Sequence, residues 1–103
     1  MKLAEKCKDL KSLNLTNLTK ITEKSVRAIA MKMSLLESID LSECPMITGT
    51  DIYYLKNLKN LKLLLLQSIK FCDNEMIFLE YLKNLNTLSL ASKIFLFFYF
   101  FIF

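Results

Sequence analysis

Leu36-Glu37-Ser38-Ile39-Asp40-Leu41 carries the pattern L-x-x-[LI]-x-L, and the pattern starts again at Leu10, Leu61 and Leu85. Successive copies lie 26, 25 and 24 residues apart. A period of roughly 20–29 residues suits a unit of one short strand and one helical return, because such a unit cannot bury its apolar face alone and stacked neighbours can. Strand alternation divides each copy between two faces. Ile39 and Leu41 turn inward with their counterparts Leu13 and Leu15, Leu64 and Leu66, and Leu88 and Leu90. Strands are expected near residues 11–15, 37–41, 62–66 and 86–90.

Between strands the chain has to turn back, and Ile21-Thr22, Ile47-Thr48 and Phe71-Cys72-Asp73 place a buried hydrophobe before a helix start. Thr22, Thr48 and Asp73 are the expected N-caps, and Thr48 with Asp51 three residues on resembles a capping box. Ile52, Leu55, Leu58 and Leu61 form one apolar stripe, matched by Met76, Leu79, Leu82 and Leu85. Spacing by three throughout predicts short, tight helices. The first helix, about Glu23 to Met33, turns Val26, Ile29, Ala30 and Met33 inward.

The 103 residues are 53% hydrophobic with one glycine and one proline, a composition that buries surface and excludes both a disordered linker and a turn-rich β-sandwich. The net charge of +4 is carried by lysines scattered from Lys2 to Lys93, which argues against a nucleic-acid or anionic-membrane patch. Cys7, Cys44 and Cys72 are odd in number and lack C-x-x-C spacing, so they suggest neither a disulfide framework nor a zinc site. Charges interleave with apolar residues over Met1 to Asp9, unlike a signal peptide, and the expected location is cytoplasmic or nuclear.

Leu3-Ala4-Glu5-Lys6-Cys7-Lys8-Asp9-Leu10 and Leu41-Ser42-Glu43-Cys44-Pro45-Met46-Ile47-Thr48 resemble the cysteine-containing subclass of leucine-rich repeats, L-A-x-x-C-x-x-L-x-x-L-x-L-x-x-C-x-x-I-T. Ile29 to Leu36 follows it with Met33 at the cysteine position. The resemblance spans about Lys2 to Ser92 and implies an α/β fold: a short open solenoid of about three and a half repeats, with parallel strands on a concave face and helices on a convex one. It further implies a role like that of F-box proteins, whose repeats select a substrate for a cullin-based ubiquitin ligase. Two departures matter. Leu18 and Ile69 stand where the loop cysteine is expected, and the sequence contains no F-box segment, its first residues reading as the tail of a preceding repeat's helix.

Outward strand residues form columns: Ser12, Ser38, Leu63 and Thr87; Asn14, Asp40, Leu65 and Ser89; and Thr16, Ser42, Gln67 and Ala91. Such columns are the surface that solenoids offer to partners. Leu63 and Leu65 stand out as apolar among polar neighbours, so a protein partner is expected to meet Ser12, Asn14, Ser38, Asp40, Leu63, Leu65, Gln67, Thr87 and Ser89. No cofactor, metal or small-molecule substrate is expected. Catalysis has little to work with, since there is no histidine for a Ser-His or Cys-His pair and Gly49 alone makes no phosphate loop. Asp51, Asp73 and Glu75 read as helix-start carboxylates, and the three cysteines as small buried hydrophobes.

Residues 93–103, KIFLFFYFFIF, leave the pattern. As a helix their ten apolar residues would span about 15 Å, half of a bilayer's hydrocarbon core, so a transmembrane reading fails on length. Membrane-surface contact is the weaker reading for want of a basic face. The tail could instead shield the last repeat, or be translated T-rich non-coding sequence; the abrupt loss of period favours the latter. The competing functional expectation is a truncated or mis-spliced fragment with no activity of its own.

Overall fold

The computed structural model describes residues 6–90 and 93–96, with residues 93–96, Asp73 and Met76 described by backbone alone. Four strands, β1 (Ser12–Asn14), β2 (Ser38–Asp40), β3 (Leu63–Leu66) and β4 (Thr87–Leu90), run parallel and lie side by side in chain order. Their register is constant. Leu13 pairs with Ile39, Ile39 with Leu64 and Leu64 with Leu88, so every unit sets its apolar residues against the same residues of the next. A fifth strand, β5 (Lys93–Leu96), pairs antiparallel with β4 at the sheet's edge. The second half of the tail, from Phe97 on, lies outside the described residues, as do Ala91 and Ser92.

Returns between the parallel strands are helical. They are α1 (Glu23–Lys32), then α2 (Gly49–Ile52) continuing as a 3-10 helix over Tyr53–Asn57, then a 3-10 helix over Asp73–Tyr81. The core lies between them and the sheet: Val26, Ile29, Leu55 and Leu79 from the returns pack with Ile39, Leu64 and Leu88 from the strands. This is an α/β fold with helical segments over a parallel sheet. Spacing by three finds its reason in the 3-10 turns, where residues i and i+3 eclipse and Ile52 and Leu55 fall on one line. Leu58 and Leu61 continue the stripe beyond the helix and are buried as well. Leu13 is the exception among the inward strand positions, being only half-buried on the outermost parallel strand.

Each helical start uses the side chain three residues on to bind the cap's N–H. Thr22 N–H donates to Ser25 Oγ at 3.3 Å, Thr48 N–H to Asp51 Oδ2 at 2.9 Å and Cys72 N–H to Glu75 Oε1 at 2.8 Å. The third cap is therefore Cys72 and not Asp73, which is already the first helical residue. Cys72 is also exposed, contrary to its expected burial. Gly49 fits the second start because Phe71 closes over it. A Cβ there would lie 2.7 Å from Phe71 Cδ1 and 2.8 Å from Glu75 Oε1.

Candidate functional site

The expected columns are adjacent in the structure. Ser12, Ser38, Leu63 and Thr87 are register partners across β1 to β4, and so are Asn14, Asp40, Leu65 and Ser89. Ser12 and Asn14 are exposed, and the other six are half-buried between their neighbours. Leu63 and Leu65 thus present an apolar strip flanked by Ser38 and Asp40 on one side and by Thr87 and Ser89 on the other. β5 extends the sheet, setting Leu96 opposite Thr87 and Ile94 opposite Ser89 in register.

Several of these polar residues also serve the turn that follows the strand. Asn14 Oδ1 accepts the N–H of Thr16 at 2.9 Å and its hydroxyl at 2.6 Å, and Asp40 Oδ1 accepts the N–H of Ser42 at 2.9 Å. Such side-chain bonds two residues on fix the chain's exit from the strand. In the third unit Leu65 occupies this position and makes no such bond. Gln67 Oε1 accepts the hydroxyl of Ser89 at 3.1 Å, joining the second and third columns across β3 and β4. Ser42 departs from its expected outward place: it is buried, and its hydroxyl accepts the N–H of Gln67 at 2.9 Å.

Among the described residues a left-handed turn residue follows the strand end three times. Asn17, Glu43 and Ser68 have φ of 66°, 59° and 69°, the left-handed region that favours glycine, although none is glycine. Each left-handed L-residue costs about 1–2 kcal/mol, the least for asparagine. Bonds between units offset the cost: Asn17 N–H donates to Ser42 O, Glu43 N–H to Gln67 O, and Ser68 Oγ–H to Glu43 Oε1. Cys44 acts in the same direction, its buried thiol donating to Leu15 O at 3.0 Å. Burial pushes the Cys44 thiol above its ordinary range, with the Asp40 carboxylate adding to the rise and the backbone at Leu18 and Asn17 opposing it. This is an inert neutral thiol, a structural part.

These turns line a cavity of about 420 Å³, with Cys44, Pro45 and Ile47 beside Asn17, Thr19, Glu43, Thr48, Ser68 and Lys70. The sequence reading missed it, and its signal was the repeated position 17, 43 and 68. On the helical side Tyr53 packs against Phe78 and Tyr81, with ring centroids 5.1 and 5.7 Å away, and Lys56 Nζ sits 3.9 Å from the Tyr53 ring centroid. Tyr54 stacks under Arg27, which pairs with Glu23. Among the described residues no group of three or more histidine, cysteine or acidic side chains is placed to hold a metal, and no helix is long and apolar enough to cross a membrane. No protein-family model matches the chain.

Proposed function

We propose that the chain is a short leucine-rich-repeat solenoid that binds a protein through its strand face, as the substrate-recognition repeats of F-box proteins do. The observation that carries the reading is the apolar strip Leu63 and Leu65 set in register among polar neighbours. A partner that covered it would bury two leucines at the centre of a face ringed by hydroxyls and carboxylate, the arrangement in which binding energy concentrates. Recognition would rest on shape and hydrogen bonds. Turnover has no place in it, and neither has a cofactor, and a cytoplasmic or nuclear location would suit the reduced cysteines.

The test is affinity purification with the immobilised chain and with its Leu63→Ser/Leu65→Ser variant, with circular dichroism of both. A partner that saturates on the native chain and is lost by at least about tenfold on a folded variant, equivalent to about 1.4 kcal/mol, supports the proposal. Equal capture by the two would overturn it. Recovery of chaperones alone would favour an inert fragment.

A further inference from the structure

The first unit is built like the second but is far less buried. Leu10, Leu13 and Ile21 are half-buried and Leu18 is 44% exposed, whereas their counterparts Leu36, Ile39, Ile47 and Cys44 are at most 3% exposed. The difference lies in what flanks each unit. β2 has a strand on both sides, and among the described residues β1 has one only. The edge of β1 that is unpaired among the described residues is also specific. Lys11 O and Leu15 N–H bond toward the second unit, so alternation turns the backbone groups of Ser12 and Asn14 outward. In the units that follow, the matching groups are taken: Ser38 N–H donates to Lys11 O, Asp40 O accepts Leu15 N–H, and Ser42 O accepts Asn17 N–H. The outer flank of β1 therefore repeats the flank that β2 offers β1, β3 offers β2 and β4 offers β3.

What fits such a flank is the opposite side of a unit of the same kind, and among the described residues only the last parallel strand could offer that side to another molecule. There β5 intervenes, running antiparallel along β4 from Lys93 to Leu96. We propose that the β1 flank is a docking surface for the β4 edge of a second copy of this chain, and that β5 is the strand that blocks it. The register that aligns Leu63 with Thr87 would align Thr87 with Ser12 of the next molecule. Because this contact joins unlike surfaces, each added copy presents the same open flank, and assembly would run on without closing. The inference uses the parallel sheet and its edges, and it stands whether or not the strand face binds a partner.

Sedimentation equilibrium over a concentration series tests it on the full chain. The native chain should stay at its 12.0 kDa monomer mass. Ile94→Pro/Phe95→Pro removes consecutive β5 N–H groups, whichever of them faces β4, and should raise the weight-average mass past twice that value with rising concentration. Adding Leu18→Glu, or separately Ser12→Pro on the outward edge of β1, should return this variant to monomer. Leu96→Pro alone, trimming only the far end of the pairing, should assemble less and with the same sensitivity. A folded β5 variant that remains monomeric would overturn the proposal. So would assembly indifferent to both β1 substitutions, which would be plain tail aggregation, and so would native-chain assembly abolished by Leu18→Glu, since β5 would then block nothing. Outright unfolding of both β5 variants would overturn it too, because β4 could not then offer its edge without β5.

Discussion

Between β1 and β2 the chain returns through ten α-helical residues, Glu23–Lys32, and between β3 and β4 through nine residues of 3-10 helix, Asp73–Tyr81, while the strands opposite keep a single register throughout. The period falls from 26 to 25 to 24 residues across the same units. An α-helix rises 1.5 Å per residue and a 3-10 helix about 2.0 Å, so fewer residues cover the distance when wound more tightly, about 18 Å against about 15 Å here. Sequence follows geometry. Val26, Ile29, Ala30 and Met33 step at the 3.6-residue period, and Ile52, Leu55, Leu58 and Leu61 step by three. Strands must match their neighbours bond for bond, whereas a return needs only to bury one stripe, and the chain varies where variation is tolerated.

Core truncations on the two sides should break this comparison if it is wrong. Leu64 is fully buried in β3 between Ile39 and Leu88, where two paired strands hold the backbone and the cavity cannot close. Leu64→Ala should cost about 4 kcal/mol, toward the top of the 2–5 kcal/mol range for such changes. Leu79→Ala, equally buried but on the 3-10 side, should cost about 2 kcal/mol because that segment can move inward. Urea unfolding of both variants measures the difference, and a cost at Leu79 equal to that at Leu64 would remove the case for an adaptable return. The turn into the second return is less forgiving. Gly49→Ala should cost about 1–3 kcal/mol through the contacts of its new Cβ with the Phe71 ring and the Glu75 carboxylate.

The strand side was legible from the sequence almost residue by residue, because a period of two and a constant register leave each leucine one possible face. Ile39, Leu41, Leu64, Leu66, Leu88 and Leu90 are all buried as their positions require. Leu13 follows the pattern but not the burial, since burial depends on a neighbour that no pattern within the unit encodes. Ser42 went the other way: its place in the column is outward, yet a hydroxyl able to bond the next strand's backbone is drawn inside. Cys72 could not be told from Asp73 as the third cap, since the bond that decides it runs from the Cys72 backbone to Glu75, and that bond type does not depend on the cap's side chain. The cavity by Asn17, Glu43 and Ser68 was hidden for a related reason, as left-handed backbone is read from glycine and here none is present.

Glu75 gives the smallest effect and the finest comparison between returns. Its carboxylate accepts the N–H of Cys72 and is also bonded to the hydroxyl of Thr50 in the preceding return, so one side chain caps its own helix and ties it to the one before. The Cys72 backbone bond first, and the Thr50 hydroxyl second, hold its carboxyl below the ordinary value of 4.5. A group whose folded value is lowered adds stability above its unfolded value and loses it as pH falls through the folded one. Glu75→Gln should therefore lower the melting temperature slightly at pH 7, and native chain and variant should converge as pH drops below about 4.5, where the native carboxylate takes up its proton. Ser25→Ala offers the contrast, since the Ser25 hydroxyl caps the first return without titrating over this range. Its deficit should stay level between pH 7 and pH 3. Parallel curves for the two variants would show that the third return is held by its packing alone, and that the tie between Thr50 and Glu75 contributes nothing measurable.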